Sequence, residues 1–242
     1  LKLSNNQKVS SKLVIASYGK KSRIDQSLNR SFTKQRSPFL GVKYHIKNNF
    51  PKDKIALHNF EKGYCGISAV ENDTYNLCYL GSRDLLRKFG GIESYENEVV
   101  KKNPFLKELF NDSEFLFNKP EVINEFSFKS KSPVENHVLM SGDSAGLITP
   151  LCGNGMAMAM HSAFLLSNII SKNSSKSEIN RSAIEMEYEA AWNNAFKKRL
   201  WVGRSTQKLF GSKMASEIAA SVMKGVPGLA KTIIKSTHGS GF

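Results

Sequence analysis

The stretch HVLMSGDSAGLITPLCGNGMAMAMHSA, residues 137–163, limits what this chain can fold into more than any other. Val138 to Met140 is an apolar run too short for a helix, and it ends directly in Gly142-Asp143, so it reads as a buried strand running into a turn. Such a strand delivers Asp143 at its carboxyl end, where α/β sheets bind ligands. A carboxylate there can accept hydrogen bonds from the hydroxyls of a sugar-like chain. Gly142 and Gly146 allow backbone to approach a ligand closely, and Pro150 stiffens the loop that follows. Gly153, Asn154 and Gly155 then open a helix expected over 155–170. Its first amide groups lack intrahelical acceptors and carry the positive end of the helix dipole, so they can face a carbonyl oxygen or a developing anion. The Ala and Ser residues of that helix suit close packing on a sheet.

The remainder sorts around this segment. Residues 1–9 and 12–17 read as two strands about a polar turn, and 20–37 as a basic, polar crossing segment. FLGVKYHIK alternates, with Leu40, Val42, Tyr44 and Ile46 on one face. KIALHNF, GYCGISAV and TYNLCYL follow, separated by the hairpin signals Glu61-Lys62-Gly63 and Glu71-Asn72-Asp73, which gives an antiparallel sheet of about four strands. Helices are expected near 82–89, 93–101 and 104–110, and a last strand, VINEFSF, to Phe128. A polar linker, 129–136, precedes the segment described above. After a polar break at 171–179, the pattern gives a long amphipathic helix or two over 181–210 and two shorter helices to about 235. Met156, Met158 and Met160 read as core packing, and Trp192 and Trp201 as core anchors.

Charge is uneven. Residues 1–54 hold 13 Lys/Arg against two Asp, so most of the net +14 lies there. A basic field suits a nucleic acid or an anionic membrane surface, and equally a dinucleotide or an anionic substrate. No helix-turn-helix, RNA-binding signature or basic-aromatic repeat accompanies the charge, so nucleic acid is not expected as a partner; a peripheral membrane contact is retained. No signal peptide or membrane span is read, and three cysteines without a CxxC pair suit a reducing compartment, so the expected location is cytoplasmic. The five histidines show no paired-ligand spacing, so no metal site is expected. Gly142–Ser144 lacks the GxSxG elbow of a serine hydrolase.

The run GDSAGLITPLCGNGMAMAMHSA resembles the GD motif and following helix of the para-hydroxybenzoate hydroxylase-type FAD enzymes, and within them the geranylgeranyl reductase-like branch with its halogenase relatives. The resemblance implies that Asp143 binds the ribityl chain of FAD, that Pro150 lies beside the flavin ring, and that the amides of Gly155 and Met156 meet its N1/C2 carbonyl edge. Gly142, Gly146, Gly153 and Asn154 complete the implied cofactor set. LVIASYGKKS resembles the second motif of these enzymes; Gly19 and Ser22 match, whereas Tyr18 replaces an Asp. GYCGISAVENDTYNLCYL is placed like a strand and hairpin of their substrate domain. Tyr44, His58 and Tyr64 are candidates to line the substrate pocket, and no catalytic acid is assigned. The family's GxGxxG unit, which wraps the pyrophosphate, has no counterpart here, since GNGMAM fits only two of its glycines and follows a loop. A start at Leu1 inside a strand-like pattern agrees with a partial chain, and the missing amino-terminal segment of the same protein is an expected partner.

The expected fold is therefore α/β. It comprises part of an FAD/NAD(P)-binding domain of the glutathione-reductase (GR2) type at 1–36 and 131–172, interrupted by an antiparallel substrate domain at 37–130, with a C-terminal helical region at 173–242. The implied activity is an FAD-dependent oxidoreductase that takes reducing equivalents from NAD(P)H and reduces a small apolar, prenyl- or polyketide-like substrate. A flavin-dependent monooxygenase or halogenase is the alternative within the superfamily. A basic, non-catalytic module binding nucleic acid or anionic membrane is the alternative outside it.

Overall fold

A computed structural model describes residues 2–34, 36–124, 127–174, 178–209, 217–218, 221–222 and 225–238. By internal contacts the chain divides into two units, Leu1–Gln35 with Ser127–Arg204 and Thr232–Phe242, and Arg36–Phe126 with Ser205–Lys231.

The second unit is built on the alternating strand β2, Phe39–Lys47. Leu40, Val42, Tyr44 and Ile46 are buried, and its remaining residues are half-exposed or exposed. β3 (Ile55–Phe60), β4 (Gly63–Ala69) and β5 (Tyr75–Ser82) follow as a meander in the order β3-β4-β5-β2, every pairing antiparallel. The turns fall where the sequence puts them, with Lys62, Asn72 and Asp73 at positive φ. Two short strands extend the sheet beyond β2. β6 (Glu114–Phe115) pairs with Ile46 and Lys47, and β7 (Glu121–Asn124) with Leu40 to Lys43. Two residues, β6 in full, are too few to give an alternation signal. Residues 125–126 of the strand expected to Phe128 lie outside the described residues, and 127–128 are not strand.

Three helices cover the Tyr44 face. α2 (Arg83–Phe89) starts at Ser82 and stops at Gly90, φ 80°, a left-handed residue that glycine adopts without strain. α3 spans Ile92–Glu98. α4 (Pro104–Asn111) is capped by the Asn103 carboxamide, which accepts from the Phe105 and Leu106 amides, with Pro104 at the first helical position. Tyr95, Val99, Val100, Leu106, Leu109 and Phe110 close the core against β2, β4 and β5.

In the first unit β1 (Val14–Ala16) runs parallel to β9 (Val138–Met140), and β8 (Val134–Glu135) joins β9 antiparallel. The 1–9 strand is reduced to one bridge, Lys2 to Lys8, about a turn at Asn6. The supposed crossing segment folds instead into α1 (Arg23–Ser27), closed by a Ser22/Asp25 capping box, and a 3₁₀ turn at Ser31–Lys34. α5 spans Gly155–Lys172, and α6 spans Arg181–Gln207. Ile184, Tyr188, Trp192, Phe196 and Leu200 recur every four residues along α6 and form one buried stripe packed with Leu139, Met140, Met158 and Leu166. This stripe places residues 181–200 in the same core as the 131–172 segment, rather than in a separate C-terminal region. Trp201 falls off the stripe and is 66% exposed, so it is not a core anchor. On α5 the buried positions are 158, 162 and 166; Met156 and Met160 lie off that line and are exposed, so of the three methionines Met158 alone packs inside. α7 covers Pro227–His238, and parts of the two expected terminal helices lie outside the described residues. Among the described residues no helix is long and apolar enough to cross a membrane.

Candidate flavin site at the Asp143 turn

The end of β9 is held by a dense polar net. Ser141 N–H donates to the Ala16 carbonyl (2.9 Å), and the Ser144 hydroxyl bridges Ala16 O and Ser141 O, both at 2.6 Å. The Ser162 hydroxyl of α5 accepts from Gly142 N–H (3.2 Å) and meets Tyr188 OH of α6 at 2.9 Å; Tyr188 in turn donates to Met140 O at 2.6 Å. The turn is thereby fixed to β1, α5 and α6 at once. Gly142 stands at φ +64°, and a Cβ there would sit 3.2 Å from the Ala159 Cβ, so glycine and alanine are paired for the approach of α5.

Two cations from elsewhere in the chain clamp the same turn. Arg30, 1% exposed, donates through Nη1 to Asp25 Oδ1 (3.0 Å) and to the Ser144 carbonyl (2.9 Å), through Nε to Glu135 Oε2 (2.8 Å) and through Nη2 to Ser132 O (3.1 Å). Tyr18, where the resembling enzymes carry an Asp, donates its hydroxyl to Asp25 and accepts from Arg30. Lys131 Nζ donates to the carbonyls of Lys20 and Asp143, both at 2.8 Å, and lies 4.4 Å from the centre of the Phe32 ring. Burial lowers the Lys131 ammonium to about 8. Sequence reading missed all of these. Arg30 and Lys131 are single cations in a chain with 35 of them, and only tertiary structure separates a buried one from its neighbours.

Asp143 itself is half-buried. Burial raises its carboxyl above the usual range, while Lys131 and Lys20 pull it back. Its backbone carbonyl is engaged, and among the described residues its carboxylate has no hydrogen-bond donor. Beyond a 3₁₀ turn at Pro150–Cys152, Gly153 takes φ +66° with no atom within 4 Å of where a Cβ would stand. The Asn154 side chain gives α5 no cap; it is buried and donates to the Thr237 carbonyl. Among the described residues the amides of Gly155 and Met156 have no acceptor, and Met156 is 83% exposed. A carboxylate and two free amides are what the hydroxyls and the carbonyl edge of a flavin would need, so the residues present fit that group. Gly146 has a different reason to be glycine. A Cβ there would lie 2.8 Å from Trp192 and 2.9 Å from Leu200, so it admits α6 rather than a ligand.

The three candidate pocket residues do not converge. Tyr44 and His58 lie on the helix-covered face of the sheet in the second unit, Tyr44 bonded to Glu96 and His58 stacked on Phe105 with centroids 5.6 Å apart. Tyr64, paired in register with Asn59 and Leu80, points to the other face. That face carries Lys43, His45, Gly66, Ser68, Asn76 and Cys78, all half-exposed. Cys65 and Cys78 sit one register step apart on adjacent strands and point to opposite faces, so both stay free thiols. Cys152 is buried in the core of the first unit, 3.4 Å from the Thr149 hydroxyl.

No protein-family profile matches the chain, and no curated protein matches it by sequence. Solved structures do match. HpxO from Klebsiella pneumoniae, complexed with FAD and uric acid, superposes with a TM-score of 0.68 at 18% identity, over 97% of this chain and 61% of its own. The flavin-dependent brominase Bmp2 gives 0.69 at 16% identity, over 94% and 57%. CmlS, a flavin-dependent halogenase, gives 0.62 at 18% identity, over 77% and 35%. The chain has the mixed α/β fold of part of these structures. It spans between 35% and 61% of the length of these three structures.

Proposed function

We propose that this chain is the flavin-facing part of an FAD-dependent oxidoreductase, and hence of an enzyme. The observation that carries the reading is that the first unit holds both a donor-free Asp143 carboxylate, on a turn fixed to β1, α5 and α6, and the uncapped Gly155 and Met156 amides at the start of α5. Bound FAD would supply the electron-transfer chemistry, and the protein supplies position and field. Asp143 accepts hydrogen bonds from the ribityl hydroxyls. The Gly155 and Met156 amides donate to the carbonyl edge of the ring, where the helix dipole favours added negative charge. Pro150 and the left-handed Gly153 hold the loop out of the ring's way. Arg30 and Lys131 act as positioning residues, since they bind the backbone of Ser144 and Asp143.

A GxGxxG pyrophosphate cradle, absent from this sequence, would come from elsewhere in the longer protein. The substrate we propose is small and apolar, and NAD(P)H is the proposed reductant. The names of the structural relatives, a halogenase and a brominase among them, favour oxygen-dependent chemistry over the reductase reading. Turnover of the flavin-loaded protein without oxygen separates the two, because a reductase continues and a monooxygenase or halogenase stops. The site itself is tested by titrating FAD into the full chain and following flavin fluorescence. Asp143→Asn should weaken binding by about ten- to a hundredfold, the worth of charge-assisted hydrogen bonds, and equal binding by the two proteins would remove Asp143 from the site.

A further inference from the structure

The second unit contains a cleft that the flavin reading does not use. On β2, Tyr44 and His45 fall between the stretches paired with β7 and with β6, and the loop joining those two strands crosses the gap, Leu116 N–H donating to His45 O at 2.9 Å. Behind the loop is a cavity of about 560 Å³. Tyr44, Phe110, Phe115 and Phe117 supply aromatic surface, with Tyr44 and Phe115 edge to face at 4.8 Å. Glu96 of α3 also lines the cavity, although the residue as a whole is only 8% exposed. Its Oε1 accepts from Tyr44 OH (2.8 Å) and Tyr79 OH (2.9 Å), and among the described residues Oε2 has no donor and no cation within 4 Å.

We propose that this cleft binds the ammonium group of an organic amine, with Glu96 as counter-ion and the Tyr44, Phe110 and Phe115 rings as walls. A buried carboxylate lining a cleft with aromatic walls attracts a cation by its charge, and a ring whose face meets that cation adds the pull of its quadrupole. The wall already carries one, since Lys101 Nζ lies 5.7 Å from the Phe110 centroid while bonded to Asn97 at 2.9 Å. An anion would meet Glu96 head-on. A neutral ligand would strip water from Oε2 without bringing a charge to offset the loss. The Tyr44–Glu96–Tyr79 arrangement fixes the carboxylate beforehand, so little ordering is needed on binding.

The groups facing Glu96 are Tyr44 on β2, Cys65 on β4, Tyr79 on β5, Glu93 on its own helix and Lys101 beyond that helix; Lys119 of the crossing loop lines the same cavity. Burial raises the Glu96 carboxyl, opposed by the two tyrosine hydroxyls and Lys101. Tetramethylammonium, whose charge does not titrate, and tert-butanol, a neutral molecule of similar size, are the probes, followed by ligand NMR on the full chain. The expected result is saturable tetramethylammonium binding at least tenfold tighter than that of tert-butanol. The preference should vanish in Glu96→Gln, persist in Glu93→Gln, and fade in the unaltered protein as acid protonates Glu96, so the pH arm holds even if Glu96→Gln does not fold. Equal binding of the two probes, a preference independent of pH, or no saturation would each overturn the proposal. None of these arms involves flavin, so the result stands apart from that of the FAD titration.

Discussion

Replacing Arg30 by Met should unfold the first unit more readily than any surface change, because the guanidinium is the hub of the Asp143 turn. Its side chain is 1% exposed and that of Asp25 is 0% exposed, at 3.0 Å. Removing one member of a buried pair leaves the other charge without compensation and costs about 3–5 kcal/mol. The carbonyls of Ser132 and Ser144 also lose their donor. Against the roughly 5–15 kcal/mol that hold a domain together, a loss of about 4 kcal/mol is severe. Urea unfolding followed by circular dichroism measures it. Asp25→Asn in the Arg30→Met background should cost little more, giving a coupling of about 2 kcal/mol in the double-mutant cycle. A loss below about 1 kcal/mol for Arg30→Met, or strictly additive single changes, would refute the hub reading.

Gly146→Ala should lower stability by about 1–3 kcal/mol through overpacking against Trp192 and Leu200, while leaving FAD affinity of the folded protein unchanged; denaturant midpoints and the flavin titration check the two halves. Lys131 gives a pH dependence of defined sign. Its folded value is depressed from 10.5 to about 8, so its stabilising contribution is present above 10.5 and is lost as pH falls through about 8. Unfolding free energy should therefore rise between pH 8 and 10.5 by up to about 3 kcal/mol relative to Lys131→Met, measured by urea titration at both ends of that range. For Asp143 the carboxylate is the binding form and burial raises its value, so FAD affinity should fall on acidification at a higher pH than an exposed aspartate would give, and Asp143→Asn should remove that fall.

The parts of this fold that repeat along the chain were legible in the sequence. Period-two alternation placed β2 and its buried face, turn residues placed the hairpins, and the strand-to-glycine transition placed Asp143 and the start of α5. What the sequence hid depends on side chains brought together from far apart. Arg30 lies 114 residues from the Ser144 carbonyl it binds, and local composition showed only a basic, polar segment. Gly146 carried the same local signal as a ligand-approach glycine, yet its neighbours are Trp192 and Leu200. Tyr44 and His58 alternate correctly, but alternation does not say which face the helices will cover. Glu96 gave no sign at all, since its two tyrosine partners lie on β2 and β5.

If the Asp143 turn and the first amides of α5 meet a flavin, amide NMR will register the contact residue by residue. On titrating FAD into the ¹⁵N-labelled full chain, the resonances of Asp143, Gly153, Gly155 and Met156 should shift together and saturate, while those of Glu96 and Lys119 stay in place. Shifts confined to other residues, or none on saturating FAD, would show that the flavin does not meet this turn.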